Sequence, residues 1–115
     1  MEQECIFCKI ARHEIPSQIV YEDEDVVAFK DLNPVAPVHI LIIPKKHISG
    51  VMAVTDENSD ILGKIFLAAK TLASDTGIDK TGFRVVANHG KEAGQSVFHL
   101  HFHLLGGRAL SWPPG

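Results

Sequence analysis

The chain has little that would commit it to a membrane or to nucleic acid. Among its 115 residues no apolar run approaches the length of a bilayer span. The opening Met-Glu-Gln-Glu lacks the basic start and apolar run of an export signal, so a cytoplasmic protein is expected. Lys and Arg number 11 against 14 Asp and Glu, a net charge of -3, and no long basic run occurs. That balance argues against a general nucleic-acid surface. Basic residues gather only locally, at Lys45, Lys46 and His47. There are two cysteines, Cys5 and Cys8, and a disulfide between them would close too small a loop to add much stability. The Gly-Lys-Ser/Thr ending of a nucleoside triphosphatase loop is absent, and no internal repeat is visible. What remains is a length that suits one domain over residues 1–115, with an ordinary hydrophobic content and a modest core.

Histidine is what the chain does have. From Val97 to Leu105 it reads Val-Phe-His-Leu-His-Phe-His-Leu-Leu. As a strand, with a side-chain period of two, this puts His99, His101 and His103 on one face and Phe98, Leu100, Phe102 and Leu104 on the other. Neighbours in the row would sit about 6.6 Å apart and the outer pair about 13 Å. Adjacent rings can then share a ligand, whereas one metal held by all three is not expected. A neutral imidazole near pH 7 suits an acid, a base or a nucleophile. Cys5 and Cys8 have the spacing of a two-thiolate clamp, half of a tetrahedral zinc site.

Elsewhere the pattern predicts a short helix over 6–11, burying Ile6 and Ile10 with Phe7 toward the same core and ending before Pro16. Strands are predicted at 19–21 and 26–30, separated by an acidic turn. The stretch 38–43, apolar on both parities apart from His39, reads as a central strand covered on both faces. A helix capped by Thr55 or Asp56 is expected to run over 56–76 to Gly77. Its apolar surface is wide enough to leave some for a partner subunit. A further strand is expected at 83–88, then a glycine-bearing loop, His89 to Ser96, suited to meeting an anion with backbone amides. Four or five strands with one main helix, and no regular βαβ alternation, favour an α+β fold. Trp112, in the proline-rich tail, reads as a plug for the domain's own surface or as an anchor on a second subunit.

The sequence His99-Leu100-His101-Phe102-His103-Leu104-Leu105 completes the pattern of the histidine triad (HIT) family, which the chain resembles along nearly its whole length. The likeness extends through Cys5-Ile6-Phe7-Cys8, Phe29-Lys30-Asp31-Leu32-Asn33-Pro34, Ile43-Pro44-Lys45-Lys46-His47, Gly94-Gln95-Ser96-Val97 and the closing Trp-Pro-Pro-Gly. The branch it is most similar to is that of the nucleoside phosphoramidases. The resemblance implies a five-stranded antiparallel sheet with one main helix and a short N-terminal helix, joined to a second sheet in a two-fold homodimer. It implies cleavage of the P–N bond of purine nucleoside 5′-phosphoramidates, with His101 as nucleophile through a nucleotidyl-histidine intermediate. His103 would donate to the phosphate or leaving group, His39 would tune the array, and Ser96 would protonate the amine. Asp31 would take the ribose hydroxyls, Phe29 and Leu32 would line the base pocket, and Asn88, Gly94, Gln95 and Val97 would complete the nucleotide site. Trp112 would reach toward the partner's site.

A structural zinc on Cys5, Cys8, His47 and His99 also follows from the resemblance, with no catalytic metal. The alternatives are a nucleotide-binding regulatory protein with little turnover, a dinucleoside polyphosphate hydrolase or a nucleotidyltransferase. A metal-activated hydrolase ranks last.

Overall fold

The computed structural model describes residues 5–115, so the opening tetrapeptide, read above for its lack of an export signal, lies outside the described residues. The elements run α1 (Ile6–Ala11), β1 (Ile19–Glu22), β2 (Val26–Lys30), β3 (Val38–Pro44), α2 (Asp60–Thr76), α3 (Ile78–Thr81), β4 (Phe83–Val86) and β5 (Phe102–Gly106). The five strands form one sheet in the order β1-β2-β3-β5-β4, every neighbouring pair antiparallel. This is the α+β architecture expected. Its central strands β2 and β3 are rich in β-branched residues, and their side chains are buried almost throughout. The turn between β1 and β2 is pinned by Asp23, whose Oδ1 accepts from the amides of Asp25 and Val26 at 2.8 Å each.

Parity divides the sheet into two cores. Val26, Ala28, Ile40, Ile42, Phe102 and Leu104 face α2, where Ile65, Ala68, Ala69, Leu72 and Ala73 cover them. Val27, Phe29, Leu41 and Ile43 face the other way, onto Phe7, Ile10 and Ala11 of α1. His39 on β3 and His103 on β5 share the parity of this second face. The smaller core is therefore the one that carries the polar chemistry.

Three expectations change. The main helix begins at Asp60, four residues later than its apolar pattern suggests, because Asn58 holds the preceding turn. Its Oδ1 accepts from the Thr55 amide at 2.7 Å and its amide group donates to the Ala53 carbonyl at 3.3 Å, bonds that compete with helix. Ile6 is half exposed, and α1 buries Phe7, Cys8, Ile10 and Ala11 instead. The histidine strand starts only at Phe102. Its partner β3 ends at Pro44, which has no N–H with which to extend the ladder, so residues 97–101 follow the loop beyond it and Leu100 N–H donates to the Ile48 carbonyl. Phe98 consequently lies on the surface rather than in the core, while Leu100, Phe102 and Leu104 are buried as expected.

Helix α2 stops at Gly77, whose φ of 81° is left-handed. At the far edge, β4 has only one strand neighbour among the described residues.

Candidate active site and metal centre

Hydrogen-bond directions fix the tautomer of each ring in the array. His101 Nδ1 lies 2.7 Å from the carbonyl oxygen of His99. A carbonyl can only accept, so Nδ1 carries the proton and the Nε2 lone pair is available. On β3, the Val35 amide donates to His39 Nδ1 at 3.1 Å, which makes Nε2 the protonated nitrogen of His39. That Nε2–H donates to His103 Nδ1 at 2.9 Å, with Asp31 Oδ2 beside it at 3.3 Å. His103 must then hold its own proton on Nε2, the nitrogen left to meet a ligand. One ring offers a lone pair and its neighbour offers an N–H, with 5.2 Å between their centroids. An anion with an electrophilic centre can use both.

Burial keeps His39 and His103 neutral. Desolvation, reinforced by His101 and His39, pushes the pKa of His103 down to about 4, against a smaller upward pull from Asp31. His39 is likewise lowered, mainly by burial and with Asp31 opposing. The 3.3 Å approach of Asp31 to His39 is thus a carboxylate beside a neutral ring rather than an ion pair, the Nε2–H being given to His103. Asp31, His39 and His103 also have ligand atoms within 4.8 Å of one another. The 2.9 Å nitrogen separation is that of a hydrogen bond, and two nitrogens sharing a tetrahedral zinc would stand farther apart.

The second cluster has different chemistry. Cys5 at the N-cap of α1, Cys8 within it, His47 from the loop after β3 and His99 bring their ligand atoms within 4.8 Å of one another. Cys8 Sγ lies 3.3 Å from His47 Nδ1 and 3.5 Å from His99 Nδ1, and Cys5 Sγ lies 3.4 Å from His99 Nδ1. A tetrahedron with ordinary Zn–S and Zn–N bonds has S–N edges of about 3.5 Å. The donor set therefore fits zinc. His99 Nε2–H donates to the Pro44 carbonyl at 2.8 Å, which turns the Nδ1 lone pair toward the thiolates. With four protein ligands this is a structural site. It ties a helix of six residues, too short to persist alone, to the sheet.

Phe7 joins the two clusters. Its ring packs edge-on against His101 at 5.1 Å and His99 at 6.0 Å, and against Phe29 at 5.5 Å. It lines a cavity of about 330 Å³ with Phe29, Asp31, Leu32 and Val97, all four expected at the nucleotide site. Ile10, Ile15, Ser17 and Leu41 line it too and were not expected. Their only signal in the sequence is an apolar pattern shared with any core, and they meet only when α1 folds onto the sheet. Ser96 and Val97 border a second cavity of about 500 Å³ with Phe98 and His47.

The remaining expected residues divide. Gln95 is buried and its amide is used internally: Oε1 accepts from Gly90 N–H at 2.9 Å, and Nε2 donates to the Ser49 and Val97 carbonyls. It braces the glycine loop. Gly50 permits this approach, since a Cβ there would stand 3.0 Å from His89 and 3.3 Å from Gln95. Asn88 and Ser96 lie in the loop between β4 and β5 and make no hydrogen bond to His101 or His103 among the described residues. Gly94 is exposed with φ 83°. Trp112 is 80% exposed, so it does not plug the domain's own surface.

Two outcomes test this geometry. Protein purified without added metal should carry about one zinc per chain, and Cys8→Ala almost none; equal content by elemental analysis would refute the site. The depressed pKa of His103 predicts a stability loss on acidification. Between about pH 6.5 and 4 the unfolded imidazole binds a proton that the folded one refuses. From pH 7 to 5 the wild type should therefore lose roughly 1–2 kcal/mol more than His103→Gln in urea titrations. Parallel losses would refute the shift.

The comparisons with known proteins agree with the geometry. Residues 12–110 match the family model described as HIT domain. The chain is 56% identical over 115 residues to an uncharacterized HIT-like protein of Synechocystis, covering all of both chains. It is 49% identical over 112 residues to a 14 kDa zinc-binding protein of Brassica juncea, covering 96% of this chain and 98% of that one. The crystal structure of a HIT family hydrolase from Legionella pneumophila superposes with a TM-score of 0.95 at 50% identity, over 97% of this chain and 100% of that chain. With its histidine array, its zinc-type ligand set and these relatives, the chain belongs to the HIT family.

Proposed function

We propose that the protein binds nucleoside 5′-phosphates, with the base and ribose in the cavity beside Phe7 and Phe29 and the phosphate over His101 and His103. The observation that carries this reading is the paired polarity of the two rings, a lone pair on one and an N–H on its neighbour. Asp31, already close to His39, is the group assigned to the ribose hydroxyls. Leu32, 91% exposed at the cavity rim, is assigned to the base together with Phe29. Asn88, Gly94, Gln95 and Val97 belong to the loops around the phosphate, with Gln95 setting their shape.

The finer reading is hydrolysis of a nucleoside 5′-phosphoramidate. His101 Nε2 attacks the α-phosphorus and the P–N bond breaks, with the amine leaving. The ring nitrogen that bonds phosphorus makes the imidazole cationic, and its Nδ1–H already points at the His99 carbonyl oxygen. His103 Nε2–H donates to the phosphoryl oxygens. Ser96 supplies the proton that the departing amine needs and recovers one from the water that next attacks phosphorus. Nucleoside monophosphate is released and His101 is restored. Zinc, when bound, supplies rigidity to the segment carrying His99, and takes no part in these steps.

A second reading, a nucleotide-binding regulatory protein with little turnover, uses the same cavity. The zinc-type cluster and the zinc-binding name of the Brassica relative favour it. The two readings separate on adenosine 5′-phosphoramidate. A hydrolase releases AMP, leaves a quenched adduct on His101, and falls at least about a thousandfold in rate with His101→Ala. AMP binding without release by the wild type would establish the regulatory reading.

We also assign a homodimer, built across the exposed β4 edge and the exposed Phe66 and Leu67 of α2. Trp112 would then reach the partner's site. Sedimentation should give twice the chain mass, and Phe66→Glu should shift it toward the monomer; a monomeric wild type would refute the assignment.

A further inference from the structure

Ser17 stands out among the residues lining the 330 Å³ cavity. Its Oγ is sealed from solvent and finds no hydrogen-bond partner among the described residues. Buried hydroxyls are rarely left in that state, because the group loses its water and gains nothing in return. The backbone around it has little freedom to correct this. Pro16 precedes it, the Ile19 amide donates to the Ser17 carbonyl at 3.1 Å, and β1 begins immediately afterwards. The Lys30 amide donates to the Gln18 carbonyl at 3.0 Å, locking the segment to the end of β2. Only the side-chain torsion of Ser17 can move, and a serine has three staggered positions open to it.

The rest of the cavity explains why such a group would be kept. Besides Lys30, Asp31 and Asn33, whose polar groups also border it, its walls are the aromatic rings of Phe7 and Phe29 and the aliphatic chains of Ile10, Ile15 and Leu41. These hold a flat ring well and offer nothing to the polar atoms on its edge, which would be desolvated without compensation. Asp31 has one oxygen on the Asn33 amide at 2.7 Å and the other near His39. Among the lining side chains Ser17 carries the only hydroxyl.

We propose that Ser17 is a specificity-determining residue: its hydroxyl turns toward the cavity and pairs with the edge of the nucleobase. The assignment rests on the nucleotide reading of this cavity and deepens it. A hydroxyl both donates and accepts, so it can serve the adjacent donor and acceptor of adenine or of guanine. It reads the presence of a polar base edge and leaves the two purines poorly distinguished.

The test uses AMP and ribose 5-phosphate as calorimetric probes against the wild type and Ser17→Ala, with melting curves recorded in the absence of ligand. Ser17→Ala should weaken AMP binding 5- to 15-fold, leave ribose 5-phosphate within twofold, and keep or raise the melting temperature, since an unpaired hydroxyl has been removed. Unchanged AMP affinity would overturn the assignment, as would equal weakening of both probes or a lowered melting temperature, which would mark a structural hydroxyl. The failure of the underlying reading looks different. A wild type that binds AMP no better than ribose 5-phosphate has no base cavity here, and the role of Ser17 falls with it.

Discussion

His99 is constrained at both of its ends, and the rest of the site depends on that. Its ring is pinned by the Pro44 carbonyl on one side and faces two thiol sulfurs on the other, while its own carbonyl oxygen holds His101 Nδ1–H. Side chain and main chain of a single residue thus join a structural centre to a reactive one. The magnitudes favour the metal as the stronger anchor. Full burial of a large apolar side chain such as Phe7 contributes about 2–3 kcal/mol, whereas structural zinc contributes on the order of 10 kcal/mol in small domains. Phe7 then acts locally, keeping water from the buried sides of His99 and His101.

The sheet supplies the second half of the arrangement. β3 and β5 lie side by side, with His39 opposite Leu105 and His103 opposite Leu41, so two histidines of like parity come together on the α1 face. The α2 face of the same strands is wholly apolar and anchors them. A polar row is tolerable on the α1 face because each buried ring has a hydrogen-bond partner and none needs to be charged.

Much of this was legible in the residues themselves. Alternation picked out the three histidines, the apolar run 38–43 marked the central strand, and the Cys5–Cys8 spacing raised the thought of zinc. What escaped was set by contacts between distant segments. Nothing local says that Pro44 will end the ladder and release residues 97–101 from β3. The Asn58 side chain that delays α2 reads as an ordinary polar residue inside a helical pattern. The resemblance places Gln95 at the nucleotide site, and only the fold reveals that its amide is engaged by the Gly90, Ser49 and Val97 backbone. Ile15 and Ser17 have no motif at all. Their significance comes from where α1 lies.

The proton order along His39, His103 and His101 is set at its extremities by main-chain atoms, the Val35 amide at one end and the His99 carbonyl at the other. Val35 lies between Pro34 and Pro37, and its carbonyl is held by Arg108 Nε at 2.9 Å. A peptide group is present whatever side chain the codon specifies. Drift at position 35 would therefore leave the polarity of the array intact so long as the backbone path survives, whereas position 99 must keep the ring that completes the metal-ligand set. A proline at 35 is the exception, since it alone deletes the amide that starts the chain.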